Sequence, residues 1–290
     1  MRTRIRTLTP GQTRRRAAII GATALAVVAG AASLGLANQP PALDDKTLCP
    51  TDRKLETSVV ILVDTTDALT PIQISRLLAS VHETRDALPT YGKLTLLFLE
   101  AASPYEPKEM ISLCNPGSPQ NINPLIQTAS KIKKRWDESF GNPVERATAT
   151  LATAPTASRS PVIQAVVAST WRPDFDARVR SRRLLIVSDL LQHDSGYSHY
   201  TTASRDLWAK FARTPLATEA TGDLSNVVVE VEYLRRPKDA RFQGEAHRAF
   251  WKRWFGEAGA SSVRFIGMPD STPRLPVPKD TMTIAKMRGK

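Results

Sequence analysis

Residues 59–70 read VVILVDTTDALT, five consecutive apolar residues followed by Asp64, two threonines and a second acid. An unbroken apolar run of this length is typical of a β-strand covered on both faces, as strands of parallel sheets are. Asp64 follows the run directly, so its carboxylate needs a partner near the end of that strand. The candidate partners are a cation, a phosphoryl group and the first turn of a helix.

Strand-like runs and helix-like periodicities alternate through most of the chain. Strands are predicted over 58–63, 93–99, 110–113, 183–187, 227–233 and 262–266, and helices over 71–88, 123–140, 161–170, 204–212 and 244–259. Strands that alternate with helices form right-handed βαβ crossovers and place helices on both faces of a sheet. The prediction is an α/β fold: a doubly wound, mostly parallel six-stranded sheet of order 3-2-1-4-5-6.

The N-terminal region differs in composition from the rest. Residues 1–16 hold six arginines and no acid, and residues 17–37 form a stretch of 21 residues without a charge. About 20 apolar residues cross a bilayer as a helix, and basic residues in front of it stay in the cytoplasm. We expect a single-pass membrane protein with a cytoplasmic N-terminus and an exported body, periplasmic or extracellular. A cleaved signal peptide is the alternative and also exports the body.

The exported part then divides into three segments. Residues 38–56 are polar and contain prolines, which is typical of a linker, and residues 57–267 hold the alternating strands and helices. Residues 268–290 carry four prolines and seven charged residues, which favours a flexible tail.

The positive charge of the chain lies largely at its N-terminus. The net charge is +12, but with the six N-terminal arginines set aside 34 basic residues face 28 acidic ones, a net charge of +6. The remaining arginines, among them Arg182, Arg235 and Arg236, are scattered and form no basic stripe with aromatic residues. No nucleic-acid partner is expected, and these arginines are predicted to lie on a solvated surface.

The chain has two cysteines, Cys49 and Cys114. Beyond a membrane an even number of cysteines favours a disulfide, whereas free thiols are the alternative. A Cys49–Cys114 bond would close a loop of about 65 residues and stabilise the fold by about 4 kcal/mol in the chain-entropy model.

Two acids end strands that the predicted order makes neighbours. Asp64 ends the first strand and Asp189 ends the fourth, and ligands of such sheets bind at the carboxyl ends of the strands. Two close carboxylates need a proton or a cation between them, and a hard divalent cation such as Mg²⁺ is a natural partner. No glycine-rich phosphate loop follows the first strand, so dinucleotide and P-loop binding are not indicated.

At these residues the sequence resembles a von Willebrand factor A domain. That family has a DxSxS motif after its first strand, a threonine in a central loop and an aspartate after the fourth strand, which together bind a divalent cation. Asp64 and Thr66 match the first two positions of the motif, and Ala68 replaces the second serine. Ser160 matches the loop threonine and Asp189 the later aspartate. The resemblance implies a site for Mg²⁺ or Mn²⁺ that bridges to an acidic group of a partner protein.

Three variations on this site remain open. Ser158 is a fallback for the loop position, and Asp67 could supply a neighbouring carboxylate. Alternatively the site is degenerate, and Asp64 and Thr66 cap the helix that follows them.

Two further clusters stand out in the sequence. Residues 191–200 read LQHDSGYSHY just beyond Asp189, and a partner-binding surface there would use the side chains His193, Asp194, Tyr197 and His199. A polar loop is the plain alternative, and a zinc site on the two histidines lacks a recognised spacing. The aromatic residues of 250–255 have the i, i+4 spacing of core packing.

The resemblance implies a protein-binding module in which the cation bridges to the partner, and the apolar segment 17–37 implies that this module is anchored to a membrane. One alternative is a structural subunit of an envelope complex with a vestigial metal site. Another is a magnesium-dependent phosphohydrolase with Asp64 as nucleophile, but Thr66 stands where such an enzyme needs a second acid. No GxSxG elbow is present either, so an enzyme is not expected.

Overall fold

The computed structural model describes residues 41–118, 129–153, 156–201 and 204–267. The predicted N-terminal segments 1–16 and 17–37 and the predicted tail 268–290 lie outside these ranges. Within the described ranges, no helix combines the length and the apolar character needed to cross a membrane. The compact unit begins at Leu43, so residues 43–56 of the predicted linker belong to it.

A six-stranded sheet forms the centre of the molecule. Its strands are β1 (Thr57–Asp64), β2 (Lys93–Leu99), β3 (Lys108–Cys114), β4 (Ser181–Ser188), β7 (Val227–Tyr233) and β8 (Ser262–Gly267), and a small hairpin adds β5 (His193–Asp194) and β6 (Tyr197–Ser198). The order across the sheet is β3-β2-β1-β4-β7-β8, with β3 antiparallel to β2 and all other neighbours parallel. The α/β class, the mostly parallel sheet and the strand order predicted from the sequence are confirmed.

Helices lie between the strands in the chain. They are α1 (Pro71–Ala87), α2 (Ala129–Trp136), α3 (Asn142–Ala149), α4 (Val162–Thr170), α5 (Leu207–Phe211), α6 (Pro215–Glu219) and α7 (Glu245–Glu257). A π-helical turn, Asp137–Gly141, joins α2 to α3, so helical structure continues past the predicted end at residue 140. Pro143 lies in the first turn of α3, directly after the π-helical turn, and does not interrupt the helical structure.

The sheet separates two apolar layers. Val60 and Leu62 of β1 face one layer, which includes α4 and α7, whereas Ile61 and Val63 face the other, which includes α1 and Trp136. Because β1 is covered on both faces, each of its residues from Ser58 onward is buried. The aromatic cluster of α7 is buried, as its spacing predicts; its members are Phe250, Trp251, Trp254 and Phe255.

The disulfide predicted from the cysteine count is confirmed. Cys49 and Cys114 are bonded, with their Cα atoms 4.9 Å apart. The main-chain N–H of Cys114 also donates to the carbonyl of Thr47 at 2.8 Å. The segment before β1 is therefore attached to the end of β3.

Two arginines that the sequence assigned to the solvated surface, Arg182 and Arg236, are buried in the fold. Arg182 donates from its guanidinium to the carbonyl oxygens of Phe175, at 3.1 Å, and of Ser225. One long cationic side chain thus serves as a buried donor to two loop carbonyls.

Candidate carboxylate site at the carboxyl edge of the sheet

The two aspartates predicted to meet lie at the ends of adjacent parallel strands. β1 pairs with β4 up to Val63 and Val187, and Asp64 and Asp189 follow within two residues. Both side chains are buried, with 4 % of Asp64 and 3 % of Asp189 exposed. The register of the sheet therefore places two carboxylates at one protected edge.

Asp64 is held by donors from three parts of the chain. Its Oδ1 accepts hydrogen bonds from the main-chain N–H of Thr66 at 3.0 Å and from the Thr66 hydroxyl at 2.6 Å. Its Oδ2 accepts from the hydroxyls of Ser160, at 3.1 Å, and Ser188, at 2.7 Å. Four donors match the roughly four acceptor positions of an ionised carboxylate, so the chain itself satisfies Asp64.

Asp189 has an ionic partner, Arg236. The Nε atom of Arg236 donates to Asp189 Oδ2 at 3.0 Å, and only 8 % of this arginine is exposed. Its Nη1 atom donates to the carbonyl of Ala68 at 2.8 Å. Asp189 Oδ1 accepts from the main-chain N–H of Leu191 at 2.9 Å. One guanidinium thus joins the end of β4 to the loop that follows β1.

The charges at this edge do not cancel fully. Burial and the nearby charge of Asp64 raise the pKa of Asp189 to about 7, although Arg236 acts in the opposite direction. Desolvation and carboxylate repulsion together therefore outweigh one arginine.

Two of the predicted residues bind Asp64, and the two alternatives do not. Thr66 and Ser160 bind Asp64 directly, whereas Ser158 is exposed, so Ser160 occupies the loop position. Asp67 points elsewhere and pairs with Lys238 at 3.5 Å. Ala68 contributes only its carbonyl oxygen, which Arg236 binds.

The loop that carries Ser160 is fixed on both sides. The main-chain N–H of Ala157 donates to the carbonyl of Thr66 at 2.8 Å. Ser160 and His193 exchange main-chain hydrogen bonds of 2.8 and 2.9 Å. The hydroxyl of Ser160 therefore reaches Asp64 from a supported backbone.

The alternative that Asp64 and Thr66 cap a helix is not what the structure has. Helix α1 begins at Pro71 and Thr70 is its N-cap. Thr70 accepts from the N–H of Gln73 at 3.3 Å, and the Gln73 side chain accepts from the N–H of Thr70 at 3.1 Å. This capping box leaves Asp64 and Thr66 outside the helix.

The predicted binding loop divides into a surface part and a buried part. His193 and Asp194 are half-buried, and Asp194 pairs with Arg159 at 3.2 Å. Tyr197 and His199 are buried against Phe250 of α7. The fold therefore places only the first two of these four side chains where a partner could reach them.

A cleft borders the carboxylate site through two residues that bind Asp64. Its volume is about 310 Å³, and Thr66 and Ser160 form part of its wall. Arg159 and Lys238 line the same cleft, with 48 % and 71 % of their side chains exposed. Tyr200 adds an aromatic ring to the lining. Two exposed cationic side chains therefore border the cleft.

The donor set does not suit a divalent cation as it stands. Mg²⁺ needs free oxygen ligands, but four donors of the protein fill the acceptor positions of Asp64, and each oxygen of Asp189 already accepts one hydrogen bond. A divalent cation near Asp189 would also lie beside the guanidinium of Arg236. Within the described ranges, no group of three or more His, Cys, Asp or Glu side chains is arranged to hold a metal ion.

Sequence reasoning missed three residues of this site: Ser188, Arg236 and Gln243, whose side chain donates to the carbonyl of Asp189 at 3.3 Å. Arg236 was grouped with solvated arginines, yet it follows β7, the strand next to β4 in the predicted order. A basic residue just beyond the carboxyl end of the strand beside Asp189 was the signal that could have found it. Gln243 lies in a loop without periodicity, and nothing in the sequence marks it.

No protein-family model matches this chain, and no curated protein matches it.

Proposed function

We propose that the chain is a membrane-anchored binding module with a von Willebrand factor A-like domain that engages another protein at the carboxyl edge of its sheet. The observation that carries the proposal is the cleft of about 310 Å³ whose wall includes Thr66 and Ser160, two residues that bind the buried Asp64. Ligands of open α/β sheets bind at this edge, in the crevice beyond the strand ends. The order of the six strands and the convergence of Thr66 and Ser160 on Asp64 support the likeness to that family.

The chemistry of the rim favours an acidic segment of a protein as the ligand. Arg159 and Lys238 pair with Asp194 and Asp67 at 3.2 and 3.5 Å, and both cations are largely exposed. Exposed ion pairs contribute little to stability, so these cations can exchange their partners for carboxylates of a ligand. Charge-assisted hydrogen bonds from arginine would then add specificity.

Binding is favoured over catalysis by the state of Asp64. A nucleophilic carboxylate has to reach a substrate, whereas Asp64 is buried and each of its oxygens is bound by donors of the protein. Membrane attachment rests on the apolar segment 17–37 of the sequence.

Site-specific photocrosslinking in the cell of origin tests the function. A photoreactive amino acid at Lys238 is expected to form a discrete protein adduct, whereas the same group at the exposed Lys131 of α2 is not. The substitution Arg159→Glu should weaken the adduct, because it replaces a cation of the rim by an acid. Equal adducts at both positions, or none at Lys238, would contradict binding at this edge and leave a structural subunit as the better function. Repeating the reaction with a chelator tests the cation-bridged version, in which the adduct depends on Mg²⁺ or Mn²⁺.

A further inference from the structure

We propose that the guanidinium of Arg236 is the built-in counter-cation of the Asp64–Asp189 pair, and that the site forms without a divalent cation. The inference concerns the charge balance inside the domain, so it is independent of which partner the domain binds. It also differs from what the sequence motif implies, since the motif predicts a metal at the same place.

The position of Arg236 is that of a bridging cation. It contacts Asp189 Oδ2 at 3.0 Å and the carbonyl of Ala68 at 2.8 Å, two oxygens from different segments. The oxygen at position 68 is a main-chain oxygen, because alanine stands where the motif has a hydroxyl ligand. A guanidinium can bind two such oxygens at once by donating a hydrogen bond from a different N–H group to each. A metal ion would bind the same two oxygens by coordination.

Arg236 is held in this position by its own backbone. Its N–H donates to Gln243 Oε1 at 2.7 Å. The Nε2 atom of Gln243 donates to the carbonyls of Leu234, at 2.7 Å, and Asp189, at 3.3 Å. The buried side chain of Gln243 therefore connects the residues that follow β7 to those that follow β4. The guanidinium is pre-organised at the carboxylates rather than drawn from the surface.

Electrostatics make arginine and a divalent cation alternatives at this edge. Two like charges a few ångströms apart repel strongly where water is excluded. Arginine supplies one positive charge and several N–H donors without any bound ion. A divalent cation would have to displace a buried ion pair, and separating such a pair is strongly unfavourable.

The first experiment uses the unmodified full chain, purified and treated with EDTA. Its thermal midpoint is expected to stay the same when millimolar Mg²⁺ or Mn²⁺ is added, and no protein-bound Mn²⁺ signal should appear in electron paramagnetic resonance. A midpoint that rises with either cation, or a signal from bound Mn²⁺, would overturn the proposal if the substitution Asp64→Asn abolishes that rise or that signal.

Variants then test whether Arg236 performs the role of the cation. Arg236→Gln is expected to lower the midpoint in EDTA by roughly 10 °C, since it leaves buried carboxylates without a counter-charge. Added Mg²⁺ or Mn²⁺ should restore part of this loss, and Asp64→Asn in the same chain should remove the response. The matched control is Arg235→Gln, which changes an exposed neighbouring arginine and should do neither.

Two outcomes of the variant series would contradict the role of Arg236. One is a midpoint of Arg236→Gln equal to that of Arg235→Gln, and the other is a folded Arg236→Gln that gains nothing from cations. If Arg236→Gln does not fold, the variant Arg236→Lys tests the role of Arg236 instead. This variant keeps the positive charge but cannot contact Asp189 and Ala68 with separate guanidinium N–H groups. It should fold without added cations, and its thermal midpoint should not change when they are added. A variant that needs Mg²⁺ or Mn²⁺ to fold would refute the proposal.

Discussion

Ser188 shows how a single side chain connects the carboxylate site to the core. Its hydroxyl donates to Asp64 Oδ2 at 2.7 Å and accepts from the N–H of Leu190 at 2.8 Å. Leu190 has a φ of 58°, a left-handed conformation that is unfavourable for a branched side chain. The two hydrogen bonds of Ser188 fix the turn after β4 in which this residue lies. This turn also positions Asp189 to bind Arg236.

Replacement of Ser188 by alanine should therefore weaken the whole domain. The variant leaves a buried acceptor of Asp64 and the N–H of Leu190 without their partner, which we expect to lower the free energy of unfolding by about 2 kcal/mol. Urea unfolding followed by circular dichroism measures the change. Ser262→Ala, on the exposed start of β8, is the control and should stay within about 0.5 kcal/mol of the original protein. A Ser188→Ala variant as stable as this control would show that the hydrogen bonds of the Ser188 hydroxyl do not stabilise the domain.

A buried histidine next to this turn gives the protein a pH dependence. His247 contacts the hydroxyl of Tyr233 at 2.8 Å and the carbonyl of Leu190 at 3.0 Å. Burial lowers the pKa of His247 to about 4, and burial beside His247 lowers the pKa of His199 well below 6.5. Both rings are neutral in the folded state and accept protons more readily in the unfolded chain. Their contribution to stability is complete above about pH 6.5 and is lost as the pH falls toward 4.

His247→Gln tests this dependence, because glutamine does not titrate. Between pH 7 and pH 4.5 the original protein should lose roughly 2.5 kcal/mol more stability than the variant, from the shift of the His247 pKa alone. Urea unfolding at the two pH values gives both losses. Equal losses in the two proteins would mean that His247 is not the titrating group.

At the scale of elements, the sequence predicts what is local and repetitive. The apolar run before Asp64 predicts β1, and Pro71 with the periodicity that follows predicts α1, because burial on both faces and helix periodicity leave direct marks. The position of Arg236 depends on contacts with Ala68 and Asp189, which are distant in the chain. Such contacts follow from strand order and loop conformation together, so the sequence predicts the carboxylates of the site but not their arginine.

The start of α1 illustrates how a local signal can be assigned to the wrong residue. Thr70 and Gln73 form the capping box, so Thr70→Ala should lower the free energy of unfolding by about 1 kcal/mol, whereas Thr70→Ser keeps the cap and should change little. The midpoints of urea unfolding compare the two variants. If both match the original protein, the capping box does not stabilise α1.

At the scale of the whole molecule, the sheet order leaves β3 at one edge and β8 at the other. Edge strands lack a neighbour on one side and need another means of protection or attachment. At the β3 edge the segment before β1 supplies it, through the Cys49–Cys114 bond and the contact of Thr47 with the end of β3. The same bond keeps that segment within the compact unit that begins at Leu43.

Removal of this disulfide should lower the stability of the domain without changing its fold. The bond closes a loop with a sequence separation of 65 residues, so its loss frees the unfolded chain and should lower the free energy of unfolding by about 4 kcal/mol. We expect the double variant Cys49→Ser, Cys114→Ser to show this loss in urea unfolding, with an unchanged far-ultraviolet circular dichroism spectrum. A reducing agent should lower the original protein to the same stability and leave the double variant unaffected, which separates the bond from the two substitutions. A reduced protein as stable as the oxidised one would show that the packing of Thr47 and its neighbours, and not the covalent link, secures this edge.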